Sequence, residues 1–400
     1  MASHRRPLYG RRSKWCAPTV IVNLKTGGAE IPLPEEATPA PVLDAGARSN
    51  WPCRVYKVDP LSDPRWSEFL ARNEEASLFH SPGWLRALHK TYGYSPVAYT
   101  TTPPGEPIAD GLVVCCVESY LTGKRLVSLP FSDFCQPLAS SPEGLAKLLA
   151  YIEQETRREG WNYFEGRPLS PLPVYGANWC VSETYLHHRI DLRPDVELLF
   201  SNLHRDSIQR KIRRAEREGL EYIEGTTEEL LTPFYKLMVQ TRRRHGVPPQ
   251  PKRWYRALLE CLGDAIQIRI ARNGNTPVAG MLTIRYKNSL IYKYGGSDTR
   301  FNKFGGMHLL YWKSIQDAKR LGLQSFDLGR TDLHQSGLIT FKRRWGASES
   351  KINYVRYGDS NQRTHAFEWS WKSRTMRFAV SHLPKSVLPV LGDVLYRHCG

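Results

Sequence analysis

The sequence lacks the features that mark several common classes of protein. No stretch approaches the roughly 20 consecutive apolar residues of a membrane-spanning helix, and the short run at 16–22 is broken by Pro18 and too short for a signal peptide. The eight cysteines are scattered without a C-x-x-C pair, so neither a disulfide framework nor a zinc site is visible. No P-loop, dinucleotide-binding glycine motif or G-x-S-x-G elbow is present. We therefore expect a cytoplasmic protein with reduced thiols and no metal.

The composition is that of a globular protein with a strong excess of positive charge. The chain has 400 residues, of which 41% are hydrophobic and 24% charged, and its formal net charge is +17. Arg205–Arg217 and Arg242–Arg256 each contain six lysines or arginines. Such segments attract polyanions such as nucleic acid, nucleotide phosphates or anionic lipid, although a solvated helix face is the alternative.

Hydrophobic periodicity predicts the same order of elements, β-α-α-β-β-β-α-β, twice along the chain. The long helices begin at 142 and about 303, and the strands after them at 161 and 324, so the repeat is about 160 residues. We predict an α/β (α+β) protein with two similar domains, 53–193 and 194–358, whose mixed sheets are flanked by helices. Residues 1–52 are predicted to be a flexible basic tail. Residues 359–400 are predicted to be a basic amphipathic tail, either docked on the domain or in contact with an anionic membrane.

This order of elements resembles that of the GNAT acyltransferase fold. In that fold, backbone N–H groups at the start of a helix bind the pyrophosphate of acyl-CoA. The matching turn here contains Lys303, Gly305 and Gly306, which we assign to donor binding. Asn302 and Met307 depart from the usual Q/R-x-x-G-x-G/A pattern, and two glycines before a helix are also typical of an ordinary turn.

Six short motifs follow one another in the chain. They are His80–Trp84, Leu129–Asp133 with Pro137, Asp206–Gly219, Tyr294–Asp298, Phe326–Gly329, and Gly337–Lys342 with Trp345 and Gly346. Together they resemble the Fem peptidyltransferase family and the related CelD-like acetyltransferases over about residues 54–357. The resemblance implies two GNAT-like domains and transfer of an acyl or aminoacyl group from acyl-CoA or aminoacyl-tRNA to an amine. It also implies an amine-bearing envelope or exopolysaccharide precursor as acceptor, with tRNA as a further partner.

Three residues are candidates for catalysis. Transfer to an amine needs a proton acceptor and a donor or cation beside the developing oxyanion. Asp133 and Asp327 could position or deprotonate the amine, although Asp133 could also be a solvated turn residue. Asp327 lies within a predicted strand, so it must face a cleft or find a partner. Lys342 resembles the lysine that the family places near the acyl carbonyl.

The remaining candidates are assigned to binding. Tyr292 and Tyr294 alternate along a predicted strand and should share one face, where they could shape a pocket. Arg330 could bind a carboxylate or phosphate, or form a surface ion pair. The substrate-binding set is Trp84, Ser132, Tyr292, Tyr294 and Arg330, and Arg243 from the second basic segment joins the donor-binding residues.

Three functions are compatible with these observations. The first is an N-acyl or aminoacyl transferase acting on an envelope or exopolysaccharide precursor, with the protein in the cytoplasm or peripheral at the inner face of the membrane. The second is an acetyl-CoA-dependent N-acetyltransferase for an amino sugar or small amine. The third is a basic binding protein on a transferase fold that has lost its activity.

Overall fold

A computed structural model describes residues 54–120, 123–174, 176–358 and 374–398. The described residues form one large mixed sheet flanked by helices, as the sequence predicts. The predicted tail 1–52 lies outside the described residues, as does the first part of the predicted C-terminal tail.

The elements follow the predicted order in both halves. The strands are β1 (Tyr56–Val58), β2 (Ser95–Thr100), β3 (Asp110–Ser119), β4 (Gly123–Val127), β5 (Leu138–Ala139), β6 (Tyr163–Gly166), β7 (Trp179–Asp191), β8 (Glu221–Gly225), β9 (Ile266–Asn273), β10 (Thr276–Tyr286), β11 (Ser289–Ser297), β12 (Ser325–Asp332) and β13 (Ser348–Gly358). The helices are α1 (Pro64–Arg72), α2 (Pro82–Tyr92), α3 (Pro142–Arg158), α4 (Val196–Ser201), α5 (Arg210–Arg217), α6 (Glu228–Arg244), α7 (Lys252–Leu262), α8 (Gly306–Arg320), α9 (Ser336–Arg344), α10 (Arg374–His382) and α11 (Val387–Tyr396).

Local signals explain where the helices begin and end. At α2, the Ser81 side chain accepts a hydrogen bond from the Trp84 backbone, Pro82 occupies the first turn, and Gly93 closes the helix with φ 74°. At α5 and the helical turn before it (Arg205–Gln209), Ile208, Ile212 and Ala215 form the buried stripe that their spacing predicts. These caps and stripes fix the ends and faces of the helices that carry Trp84 and the basic segment.

The two halves exchange their last strands. The sheet runs in the order β1-β2-β3-β4-β6-β13-β7-β12-β11-β10-β9-β8. Thus β7 from the first half pairs with β12 of the second, while β13 from the second half lies between β6 and β7. The division at residue 193 stays a prediction, but these two strands cross it.

A gap opens between the central parallel strands of the second half. β11 and β12 pair only from Ser289 with Ser325 to Ile291 with Asp327, although both strands continue further. Each strand also has a bulge, because its register with the antiparallel neighbour shifts around Lys293 in β11 and around Leu328 and Gly329 in β12. Bulges re-aim side chains, so the residues beside this gap do not follow simple alternation.

The described part of the C-terminal tail docks on both halves, since Tyr94 of the first half also donates to the Tyr396 carbonyl over 3.0 Å. Val380 of α10 and Leu388 of α11 pack with Val239 of α6 in a small buried cluster. Docking was one of the two alternatives for this segment. The other face of α11 remains exposed, with Val387, Val390 and Val394 at helical spacing.

Candidate active site

The three predicted catalytic side chains meet at Gly329, in the β12 bulge. The Gly329 N–H donates to Asp327 Oδ1 over 2.7 Å, and its carbonyl accepts from Lys342 Nζ over 2.9 Å. A Cβ at Gly329 would lie 3.3 Å from Asp133 Oδ2, so the glycine also allows close approach of that carboxylate. Its φ of +68° favours glycine. Residues far apart in the sequence therefore converge on one peptide unit.

Asp133 lies at the end of a strained loop that enters from the first half. Leu129 and Phe131 both have positive φ, 66° and 60°, an uncommon conformation for side chains of this kind. Two contacts hold the loop, because Arg167 Nη1 and Ser132 Oγ donate to the Leu129 carbonyl over 2.8 and 2.7 Å. Strain of this kind is often found at functional sites. Ser132, predicted to bind substrate, is buried and forms this turn instead.

Lys293 is part of the site, and the sequence reasoning missed it. Its ammonium donates to Asp133 Oδ2 over 2.9 Å and lies 4.8 Å from the ring centre of Phe79 and 5.4 Å from that of Trp84. Burial lowers the pKa of Lys293 against the opposing effect of Asp133. Lys293 lies one residue from the predicted tyrosines, but strict alternation pointed it to the other face of the strand.

Arg330 lies over two tyrosine rings at the open side of the site. Its guanidinium is 4.1 Å from the ring centre of Tyr185 and 5.0 Å from that of Tyr354. Its Nε is 3.9 Å from Asp133 Oδ1, while the Tyr354 hydroxyl donates to the Asp133 carbonyl over 2.7 Å. Arg330 remains partly exposed, so it can still meet an anionic group.

Asp327 pairs with the buried side chain of His187 and does not face an open cleft. His187 Nε2 is 2.8 Å from Asp327 Oδ1, and both side chains are buried. Burial raises the pKa of Asp327, but His187 and the Gly329 N–H outweigh it and hold the pKa below its ordinary value. This carboxylate is therefore placed to fix the bulge.

Lys342 is a second buried cation of the site. Its Nζ donates to the carbonyls of Gly329 and Arg330 over 2.9 and 3.3 Å. Burial lowers its pKa to about 8, with Asp133 and Asp327 acting in the opposite direction. A lysine in this state can hold a positive charge near the gap at neutral pH without a direct ion pair.

The expectation that Tyr292 and Tyr294 share a face is wrong. Tyr294 pairs with Leu282 and Tyr292 with the next residue, Thr283, so Lys293 is an extra residue between them. Tyr292 stacks on Tyr311 at 5.3 Å on one side of the sheet. Tyr294 packs on the other side and its hydroxyl accepts from Trp254. Only Tyr294 lies on the side of Lys293 and Trp84.

The predicted donor turn packs against α5 and β10. A Cβ at Gly305 would be 2.5 Å from the carbonyl of Lys211, and one at Gly306 would contact Val278 and Ala279 of β10. Both glycines thus permit close packing of α8 against α5 and the sheet. Lys303 is exposed beside this turn and lies 5.0 Å from the Phe304 ring centre.

Arg243 lies in a separate cavity of about 380 Å³. Its Nε donates to the Leu383 carbonyl over 2.9 Å. The other cations that line this cavity are Arg244, Arg300 and Lys385. Thr299 and Arg300, which also line this cavity, belong to the turn that contains Lys303, and assignment of these residues to the donor stays a prediction.

The arrangement around Gly329 has the groups that acyl transfer to an amine requires. Asp133 is a carboxylate next to the gap, placed to accept a hydrogen bond or proton from an amine. Lys342 and Lys293 provide positive charge where an oxyanion would develop.

In the described part of the chain, no cluster of three or more histidine, cysteine, aspartate or glutamate side chains is placed to hold a metal ion. None of the described helices is long and apolar enough to cross a membrane.

A known domain family matches most of the second half of the chain. A family model described as an acetyltransferase (GNAT) domain matches residues 202–343, which include Lys293, Asp327, Arg330 and Lys342. No curated protein sequence matches the chain. Asp133 lies outside the matched region, so the site also draws on the first half.

Solved structures share the fold of about three quarters of the chain. The crystal structure of FemX is similar with a TM-score of 0.58 and 13% identity, covering 74% of this chain and 96% of that one. L-PGS from Bacillus licheniformis has a TM-score of 0.52 and 13% identity, covering 80% and 96%. A tandem GNAT protein from the clavulanic acid biosynthesis pathway has a TM-score of 0.50 and 12% identity, covering 77% and 99%. The chain thus shares the fold of these structures, and its residues 202–343 match a GNAT acetyltransferase domain.

Proposed function

We propose that this protein transfers an acyl or aminoacyl group to the amine of a cell-envelope or exopolysaccharide precursor. The observation that carries the proposal is the convergence of Asp133, Lys293 and Lys342 at the gap between β11 and β12. Asp133 would accept the proton of the attacking amine. Lys342 would stabilise the negative charge on the acyl oxygen.

The donor is either acyl-CoA or aminoacyl-tRNA. The close packing of Gly305 on Lys211 leaves little room at the turn proposed to hold a CoA pyrophosphate. The exposed arginines of α5, Arg210, Arg213 and Arg217, lie on the helix next to this turn and favour a polyanionic donor. An acetyl-CoA-dependent enzyme for an amino sugar or small amine is the alternative.

Thermal unfolding distinguishes these donors. Acetyl-CoA at about 100 times its dissociation constant should stabilise the protein by about 2.7 kcal/mol. A saturable shift with acetyl-CoA, and none with charged tRNA, would make the protein a CoA-dependent acetyltransferase. A shift with aminoacyl-tRNA alone supports the Fem-type reaction. Binding of neither donor, and no donor consumption, would mean a transferase fold without activity, which would contradict the proposal.

We further propose that the protein works in the cytoplasm, in peripheral contact with an anionic membrane. The outer face of the C-terminal helices carries Phe378, Val390 and Val394, which are 66%, 64% and 54% exposed. The cationic cavity with Arg243 and Lys385 lies beside these helices. Apolar side chains next to cations are typical of interfacial helices.

Vesicle co-sedimentation tests the membrane contact. Phosphatidylcholine vesicles that contain phosphatidylglycerol should retain the protein, and high salt should release it. Val390→Asn with Val394→Asn should weaken retention several-fold, since each removes apolar area from the contact. Val181→Asn, at an exposed valine of β7, is the matched control. Equal retention on neutral vesicles, or no effect of the α11 variants, would contradict this proposal.

A further inference from the structure

Three buried polar atoms beside the candidate active site have no hydrogen-bond partner among the described residues. They are the indole nitrogen of Trp84 and the hydroxyls of Tyr92 and Tyr255. Trp84 and Tyr255 are 0% exposed and Tyr92 is 9% exposed. Buried donors are almost always paired in native proteins, so three unpaired donors in one region indicate a partner outside the chain.

These residues belong to one continuous group, the aromatic cluster, which consists of Trp84, Tyr92, Trp254, Tyr255 and Tyr294. The ring centres of Trp84 and Tyr92 lie 5.2 and 5.4 Å from that of Trp254. Trp254 Nε1 donates to the Tyr294 hydroxyl over 2.8 Å, and the rings of Tyr294 and Tyr255 are 5.1 Å apart. The cluster thus joins α2 of the first half to α7 and β11 of the second.

The aromatic cluster borders the candidate active site. Phe131, two residues before Asp133, lies 5.0 Å from the ring centre of Tyr92. Lys293, which pairs with Asp133, lies 5.4 Å from the ring centre of Trp84. A molecule that occupied the cluster could therefore extend to the reacting groups.

Arg242 on α6 faces the same cluster. It follows Phe234 and Met238 at intervals of four residues, so the three share one face of the helix. Phe234 packs on Tyr255 with ring centres 5.6 Å apart, and both Phe234 and Met238 belong to the core that contains the aromatic cluster. Arg242 itself is partly buried.

The charge of Arg242 is not balanced within the residues that the structure describes. No carboxylate there forms an ion pair with it, whereas Arg253 pairs with Asp393, and Lys252 and Arg256 both pair with Glu228. A partly buried cation without a counter-ion is costly, because burial removes the water that would solvate it.

The surroundings of Arg242 are phenolic rather than acidic. Burial lowers the pKa of Arg242, and the tyrosine hydroxyls around it outweigh burial and raise that pKa above its ordinary value. The tyrosines concerned are Tyr396, Tyr255, Tyr294 and Tyr292. Tyr396, Tyr255 and Tyr294 belong to the core on the side that Arg242 faces, whereas Tyr292 stacks on Tyr311 on the other side of the sheet. The guanidinium keeps its charge beside this core.

We propose that Arg242 and the aromatic cluster bind a carboxylate group of the acyl acceptor. A guanidinium presents a planar fork that matches two carboxylate oxygens, and the free hydroxyl of Tyr255 adds a donor. One unpaired cation matches a single negative charge, as on a carboxylate, better than a phosphate dianion. This inference rests on the proposed function. It implies an acceptor with an amine for Asp133 and a carboxylate for Arg242, as in an amino acid or peptide.

Sodium acetate is a minimal probe of this site. The full-length protein is unfolded thermally in acetate and in chloride at equal ionic strength, with acetamide as the neutral molecule of the same shape. We expect a saturable rise in Tm with acetate and none with acetamide. Arg242→Gln should abolish the response, and Arg244→Gln should keep it, because Arg244 donates to the Ser297 carbonyl instead.

Tyr255→Phe separates a binding role from a structural one. Its hydroxyl has no partner among the described residues, so its removal should leave the Tm in chloride unchanged. The same change should weaken acetate binding about tenfold, since hydrogen bonds to charged groups are strong. If Arg242→Gln does not fold, the acetate response of Tyr255→Phe tests the inference by itself.

Three results would overturn the inference. They are a Tm that does not respond to acetate, an equal response to acetamide, and an acetate response that survives both Arg242→Gln and Tyr255→Phe. The titration contains no acyl donor. A negative acetate titration would therefore overturn this inference without changing the result of the donor experiment. A negative donor experiment would contradict the proposed function without changing the measured binding of acetate at Arg242.

Discussion

The strands β6 and β12 carry nearly the same residues, yet their surroundings differ. β6 contains Phe164-Glu-Gly166 and is followed by Arg167, whereas β12 contains Phe326-Asp-Leu-Gly-Arg330, so the second sequence has one additional residue, Leu328. In β6 the acidic residue pairs with Arg167 and with Arg356 of β13. In β12 the extra residue makes a bulge, and the acidic residue caps the backbone of that bulge instead.

The two arginines lie over the same tyrosine but have different contacts. Arg167 and Arg330 are 5.2 and 5.0 Å from the ring centre of Tyr354. Arg167 is buried and donates hydrogen bonds to Glu165 and to the Leu129 carbonyl. Arg330 stays partly exposed, with its nearest carboxylate oxygen, on Asp133, 3.9 Å away.

The comparison indicates that one additional residue, Leu328, distinguishes β12, beside the candidate active site, from β6, whose acidic residue forms a structural ion pair. In the first half, the loop after β4 fills the space beside β6, because the Ser128 N–H donates to the Glu165 carbonyl over 2.7 Å. In the second half the corresponding space stays open, and the same loop delivers Asp133 into it. We therefore expect changes in the β6 region to affect stability and changes in the β12 region to affect turnover.

Lys342→Met should have the largest effect on turnover. Loss of the buried cation should lower kcat by about 10² to 10³, as removal of one oxyanion donor does in other enzymes. Because burial disfavours the ammonium, thermal stability should be retained or increased. Donor consumption, measured as release of CoA thiol or deacylated tRNA, and thermal unfolding test both parts. Lys351→Met, at an exposed lysine of β13, is the control; equal rates for both variants would remove Lys342 from the site.

Asp133→Asn should lower kcat/KM by about 10²-fold, since a general base contributes at least that much. Its fold should persist, because the amide can still accept a hydrogen bond from Lys293. The same donor-consumption assay checks the rate, and circular dichroism checks the fold. A rate close to that of the wild type would show that another group accepts the proton.

Glu165→Gln is the matched change in the first half. Glu165 is buried, and although burial raises its pKa, Arg167 and Arg356 hold that pKa below the ordinary value. Removing the charge should lower the free energy of unfolding by about 3 kcal/mol, because two arginines lose their counter-ion. Urea unfolding should show this loss at pH 7, while kcat changes little. A large loss of kcat with unchanged stability would break the comparison.

Gly329→Ala should act on both stability and rate. An alanine at φ +68° costs about 1 to 2 kcal/mol, and its Cβ would press on Asp133 Oδ2. We expect a drop of a few degrees in Tm and a roughly tenfold loss of kcat/KM from a misplaced carboxylate, since 1.4 kcal/mol is a factor of ten. Gly166 of β6 lies against Val355 of β13. Gly166→Ala should therefore lower Tm without the loss of rate.

The smallest effect concerns pH. Burial lowers the pKa of Lys342 from 10.5 to about 8, so turnover should fall to half its plateau when pH rises to about 8. The unfolded chain keeps this proton up to about 10.5, so the cost of burying the charge is present below about 8 and disappears between 8 and 10.5. Stability relative to Lys342→Met should therefore rise over that range, and urea unfolding at several pH values measures it. A constant difference would contradict the buried cation.

Much of the fold followed from local signals in the sequence. Ser81 with Pro82, and Pro142 after Ser141, fixed the starts of α2 and α3 because capping depends on neighbouring residues. The repeated order of elements and the motif Phe326–Gly329 pointed to the GNAT fold, and the family model for that domain matches residues 202–343. Asp133, Asp327 and Lys342 lie in such motifs and Arg330 follows one of them, and the roles assigned to these residues stay predictions.

Only the tertiary structure decided how these residues meet. The bulges around Lys293 and Gly329 depend on pairing with strands distant in sequence, so periodicity alone placed Tyr292 and Tyr294 on the same face and missed Lys293. The exchange of β7 and β13 and the entry of Asp133 from the first half are contacts over more than a hundred residues. The sequence by itself determined the helices, strands and reactive residue types through short-range preferences. The site exists because long-range pairing and packing bring them together.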